Sequence, residues 1–185
     1  YNREMAARIL SLLEEGELLS RYVNRGAQLD CVPVTRVSEG YPLLLRQRLG
    51  LDSPGCLWAK GDPEILNTPA VALVGSRELR PENRVFAEAV GYHAATQGLT
   101  LVSGNARGAD RTAQEACLRA GGRVISIVAD ELAKQPKTRN VLYLSEDGYD
   151  EKFSAQRALS RNRCIHALGQ LVFVAQSDLH KGGTW

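Results

Sequence analysis

The sequence predicts an α/β protein: a mostly parallel sheet between two layers of helices, preceded by a short helical segment. Three observations carry that expectation. Val71-Ala-Leu-Val74 and Thr100-Leu-Val102 are short apolar runs, the pattern of strands covered on both faces. Each leads into a glycine turn that bears an arginine, Gly75-Ser76-Arg77 in one case and Gly104-Asn105-Ala-Arg107-Gly108 in the other. From residue 70 onward such runs alternate with helix-length stretches, the rhythm of right-handed βαβ units.

The elements follow in order. Residues 3 to 24 carry helical spacing, with Met5, Ile9, Leu12 and Leu13, then Leu18, Leu19, Tyr22 and Val23. Gly16 splits them into two helices or kinks one, and Gly26 is expected to end them. Residues 1–26 are therefore read as an N-terminal helical segment and 27–185 as the main domain. Leu29–Val34 reads as a short strand, moved toward a sheet edge by Pro33. Pro42 suits the first turn of a helix whose apolar face is Leu43, Leu44, Leu45 and Leu49. Cys56–Ala59 is a further strand. Strand Val71–Val74 precedes a helix from about Pro81 to Gln97, with Val85, Phe86, Ala89 and Val90 expected to face inward. Strand Thr100–Val102, a helix over Arg111–Ala120 closed by Gly121-Gly122, and strand Val124–Val128 come next. After an irregular polar stretch come strand Val141–Leu144, one helix from Phe153 to near Gly169, and a last strand, Leu171–Ala175.

Composition limits the function classes. The chain has 185 residues, 23 basic and 21 acidic, for a formal charge of +2. So small an excess does not announce a polyanion partner, and an anion site must come from local clustering. Cys31, Cys56, Cys117 and Cys164 form no C-x-x-C pair; reduced core thiols are expected rather than a zinc or redox centre. No apolar run approaches the ~20 residues of a membrane span, and no signal peptide is visible, so a cytoplasmic setting is expected. The chain opens on Tyr1 and stops at Trp185 in loop-like sequence, and is read as a piece of something longer, truncated at its C-terminal side.

The chemistry-bearing residues are mostly cationic. At Gly75-Ser76-Arg77 the glycine permits a tight turn, the Ser76 and Arg77 amides face an anion, and the Arg77 fork suits phosphate; alternatively the glycine merely turns the chain and Arg77 is solvated. In Ser103-Gly104-Asn105-Ala-Arg107-Gly108-Ala-Asp110 two glycines bracket a turn that opens a helix, whose amino end and amides point into the same crevice. Asp110 is placed as the N-cap. Neither stretch matches the G-x-x-x-x-G-K-[ST] or G-x-G-x-x-G patterns. Arg157 and Arg161 share a helix face, and such a run is expected to be a solvated face; the alternative is that Asn162, between Arg161 and Arg163, orders neighbouring loops by hydrogen bonds. Lys134, Lys137 and Arg139 add charge near the same sheet edge, and Lys181-Gly182-Gly183-Thr184 has the makings of another anion-cradling turn. Glu146 and Asp147 read as a solvated pair, with acid–base work the alternative. His93, His166 and His180 are dispersed, so no catalytic residue, metal site or cofactor is implied.

Together, Tyr41-Pro42, Val71–Arg77, Ser103–Asp110, Ser145-Glu146, Phe153, Arg161-Asn162-Arg163 and Gly182-Gly183-Thr184 resemble the DNA-processing protein A (DprA/Smf) family from about residue 27 to the end. The resemblance implies an extended Rossmann-like fold, single-stranded DNA binding, delivery of the strand to a RecA-type recombinase in transformation and recombination, and a homodimer. It places Arg77 at the family's phosphate-binding arginine, Gly75, Ser76, Gly104 and Gly108 in its phosphate-facing turns, and Arg161, Asn162 and Arg163 in its R-N-R element. Gln114 stands where members commonly carry histidine, and Ala133–Arg139 replaces a lysine-bearing Tyr-Pro loop, leaving Lys134 or Lys137 as the substitute. The alternative class is a nucleotide sensor or phosphoribohydrolase-like enzyme on a related fold, whose P-G-G-x-G-T-x-x-E motif has no glutamate counterpart here and has lysine, Lys181, for proline. A purely structural interaction domain is the third reading.

Overall fold

A computed structural model of the chain describes residues 2–178. Helix α1 (Arg3–Glu14) is capped by Asn2, whose side chain accepts from the Glu4 amide at 3.1 Å. Glu15 separates it from α2 (Gly16–Gln28). Gly26 does not end the helix, contrary to expectation. It is buried where a Cβ would come within 2.7 Å of the Trp58 ring, so its smallness serves packing. Tyr22 fastens α2 to the rest: it stacks on Tyr149 at 4.5 Å, and its hydroxyl donates to Asp150 at 2.6 Å.

The sheet has seven strands: β1 (Val32–Thr35), β2 (Cys56–Lys60), β3 (Ala70–Val74), β4 (Thr100–Ser103), β5 (Arg123–Ile127), β6 (Val141–Ser145) and β7 (Val172–Val174). Their spatial order is β1-β2-β6-β5-β4-β3-β7. The run β6-β5-β4-β3-β7 is parallel, with Val71 beside Leu101 and Leu101 beside Val124. β1 and β2 add an antiparallel margin, and Pro33 lies on the outermost strand, where a missing ladder donor is tolerated.

Alternate residues of each strand supply two cores. Val71, Leu73, Leu101 and Val124 pack under α4 (Pro81–Thr96) and α5 (Ala109–Arg119). Ala70, Ala72, Val74, Val102 and Ile125 pack against α3 (Leu43–Leu49) and α7 (Asn162–Leu168). The outcome is the expected three-layer α/β/α arrangement.

Two helices turn a different face inward from the one expected. On α4 the buried residues are Ala87, Val90, Gly91 and Ala94, while Val85, Phe86 and Ala89 lie outside. Small residues let α4 approach α5 so closely that a Cβ on Gly91 would collide with the Ala113 carbonyl; the bulky side chains have no room in that contact. On α3 only Leu45 is fully buried, and Leu43 is exposed. The long helix expected after Phe153 is two short ones, α6 (Ala155–Ser160) and α7, hinged at Arg161.

Candidate anion-binding cleft

Chain order reverses at β3, which has β4 on one side and the last strand, β7, on the other. Open α/β sheets bind ligands beyond the carboxyl ends of strands at such a point. A cleft of about 740 Å³ lies there, between the β3–α4 turn, the β4–α5 turn, the α6–α7 hinge and the segment after β7. Arg77 and Arg107 line it together, and both also line a smaller adjoining hollow of about 300 Å³. The two arginine turns therefore converge.

The turns are locked to each other through the backbone. The Ala109 amide donates to the Ser76 carbonyl at 3.1 Å. Gly108 has φ +88°, and a Cβ there would come within 2.5 Å of the Ser76 and Arg77 carbonyls; only glycine combines that dihedral with that approach. The Ser76 amide, expected to face an anion, instead donates to the Gln176 carbonyl at 2.9 Å. The Ala106 amide is likewise taken, by the Asp110 carboxylate at 3.1 Å. Among the described residues, the Arg77 amide and guanidinium have no protein partner, and the side chain is exposed. Arg107 reaches Glu78 at 3.4 Å, an exposed contact of the kind that contributes little. Of the two turn arginines, one is thus open and the other is held only by a weak pair.

The floor is charged but internally balanced. Gly108, not Asp110, caps α5; Asp110 sits in the first turn and folds back on the β4–α5 turn. Burial pushes its carboxyl up from the usual range, while the charge of Arg161, the Ala106 amide and the Ser103 hydroxyl hold it down. Burial likewise lowers Arg161, with Asp110 first among the groups opposing this. Arg161 is 5% exposed and donates Nη1 to the Ile127 carbonyl at the end of β5. Its guanidinium fills the space a Gly104 side chain would need. Gly104 is therefore a seat for Arg161 as well as part of the turn.

The neighbouring arginines, expected on a solvated helix face, are also committed to the protein, because remote carbonyls and carboxylates reach them. Arg157 donates to Asp147 at 2.6 Å, to the Ala129 carbonyl at 2.9 Å and to the Lys152 carbonyl at 2.6 Å. Arg163 reaches Glu146 at 2.7 Å and also the Asp52 carbonyl. Glu146, expected to be solvated, is buried and accepts from the Cys164 thiol as well. Asn162 lines the cleft, and Asn105 lines the adjoining hollow. Lys134 pairs with Glu131 at 2.7 Å and Lys137 with Asp30 at 3.6 Å; neither lines either hollow. Gly182, Gly183 and Thr184, with His180, lie outside the described residues. Within those described, no group of three His, Cys, Asp or Glu is placed to hold a metal ion, and no helix is long and apolar enough to cross a membrane.

Sequence reasoning did not place Arg80, Leu159 or Phe153 at the site. Arg80 and Leu159 line the cleft, and Phe153, 56% exposed, lines the adjoining hollow. An isolated phenylalanine ahead of a polar helix was the available signal for the last.

A family model described as DNA recombination-mediator protein A matches residues 33–185. The chain belongs to that family. The DNA processing protein DprA of Streptococcus pneumoniae is 33% identical over 141 residues, 71% of this chain and 50% of that protein. Protein Smf of Escherichia coli is 31% identical over 160 residues, 78% of this chain and 41% of its own length. The chain spans about half the length of the curated relatives it matches. The solved structure of the S. pneumoniae protein superposes with a TM-score of 0.76 at 28% identity, over 91% of this chain and 60% of that one. DNA processing protein A from Helicobacter pylori superposes with a TM-score of 0.68 at 28% identity, over 83% of this chain and 72% of that one; that structure concerns its single-stranded DNA binding mode. The expected family and fold both hold.

Proposed function

We propose that this chain is the strand-holding domain of a DprA/Smf-type protein, a non-enzymatic binder that grips single-stranded DNA by its phosphates. The observation that carries the reading is the Arg77 guanidinium, without a partner among the described residues, beside Arg107 in an open cleft at the carboxyl edge of the sheet. Gly75, Ser76, Ser103, Gly104, Asn105 and Gly108 shape the two turns around it, Asn162 stands on the opposite wall, and Phe153 offers a face on which an unpaired base can stack. The H. pylori relative's single-stranded DNA binding agrees with this. Phosphate contacts without base-edge readout give little sequence preference and marked salt sensitivity. Arg161 and Arg163 act from beneath the site by holding it in shape. Lys134 and Lys137 contribute at most long-range charge. In the whole protein, held as a homodimer in the cytoplasm, the domain protects the strand and passes it to a RecA-type recombinase.

An electrophoretic shift with single-stranded and double-stranded forms of one sequence tests the reading. Preference for the single strand, weakening with salt, is expected. Equal binding of both forms, or none of either, overturns it.

A further inference from the structure

A strand longer than the cleft must leave it somewhere, and the rims differ in charge. The α6 wall presents Ala155, Ala158 and Leu159. The hollow beside Phe153 includes Asp130, and the neighbouring segment carries Asp150 and Glu151 against Lys152. The segment after β7 brings Asp178 to the cleft, and the rim left is the saddle between the first turns of α4 and α5. Arg80 is the residue that precedes α4 and lines the cleft, and Arg84 is one turn further along the same face. Arg84 reaches across to Thr112 of α5 at 3.4 Å. Arg111, on the first turn of α5, donates Nε to the Asn105 carbonyl at 3.3 Å. The first bond carries Arg84 across the saddle and the second holds Arg111 along the β4–α5 turn toward Asn105; each leaves other nitrogens of its fork for an incoming acceptor. With Arg77 and Arg107 the strip holds five arginines against Glu78 and Glu82. Beyond it the α4–α5 groove carries Glu88 and Arg119, the latter near Glu115 at 4.0 Å, so the run of unopposed positive charge is short.

We infer that the strand leaves the cleft over this saddle, and that Arg84 and Arg111 hold the two phosphates next after those at Arg77 and Arg107. The inference rests on the single-strand reading above and adds to it a direction and a second contact set. The N-terminal ends of α4 and α5 reinforce the track, since both favour negative charge.

The test compares oligo-dT of about 6 nucleotides, short enough for the cleft alone, with oligo-dT of about 20. Binding is followed by fluorescence anisotropy from about 50 to about 200 mM salt. The expected result is that the double variant Arg84→Gln, Arg111→Gln binds the long oligomer about fivefold to tenfold more weakly, with a salt slope shallower by about 1.4, since each single-strand phosphate contact contributes about 0.7. The short oligomer should bind it as it binds the unaltered protein. Equal weakening for both lengths, or none for either, overturns the track while leaving the cleft intact. Failure of the unaltered protein to bind either oligomer removes the underlying reading, and the track with it.

Discussion

Arg77 and Arg161 meet at one cleft, 84 residues apart in sequence, and have opposite fates. Arg77 sits on a glycine turn after β3, exposed and without a partner among the described residues. Arg161 sits at the hinge between α6 and α7, 5% exposed, and is absorbed by the Ile127 carbonyl and the charge of Asp110. Arg107 follows the first pattern, and Arg157 and Arg163 the second. A motif of clustered arginines thus divides into a set that meets the ligand and a set that builds the floor. A guanidinium buried with partners cannot also be given to phosphate without leaving a carboxylate and a carbonyl unpaired.

The largest expected effect is on the floor. Arg161→Ala strands Asp110 without its countercharge and empties the seat behind Gly104. It should cost about 3 kcal/mol in denaturant unfolding; a variant as stable as the unaltered protein would erase the distinction drawn here. Gly108→Ala strikes the junction of both regions, combining a φ of +88° with contact against the Ser76 and Arg77 carbonyls. A loss of about 2 kcal/mol is expected, together with weaker oligo-dT binding because the Arg77 turn must shift. A loss of stability with full binding would show that the turn does not position Arg77.

Arg163→Ala comes next, at about 1 kcal/mol, since its side chain is partly exposed but its removal leaves the buried Glu146 carboxylate with only a thiol donor. Its binding should change less than that of Arg77→Ala; a larger loss would move Arg163 into the ligand-facing set. The smallest effect concerns the buried thiols. Burial pushes Cys117 up to about 11 and Cys164 up to about 12, the latter with help from the Glu146 charge. A thiol raised in the folded state lends stability below its ordinary value of 9.0, lost as pH climbs through that range toward 11 to 12. Alkylation of native protein near neutral pH, read by mass spectrometry, should therefore spare both. Fast labelling of Cys164 would mean that the Glu146–Arg163 brace opens readily.

The parallel strands were legible because a strand covered on both faces has no polar alternation, as in Val71–Val74. The two arginine turns were legible because glycine beside a strand end is local information. The fate of the arginines was not. Arg157-x-x-x-Arg161-Asn162-Arg163 reads the same whether solvated or buried, and what decides it is Ile127, Asp110 and Glu146, each remote in the chain. The Ser76 amide was misread for the same reason, since its acceptor, Gln176, lies a hundred residues on. On α4 the spacing of bulky apolar residues suggested the wrong face, because a close helix pair is made by Ala87, Gly91 and Ala94, which carry little hydrophobic signal.

The central claim is that Arg77 meets phosphate while contributing nothing to the fold. Arg77→Ala should therefore melt with the unaltered protein yet bind oligo-dT about tenfold more weakly at low salt, with a shallower salt slope by about 0.7. Undiminished affinity with an unchanged slope would contradict it.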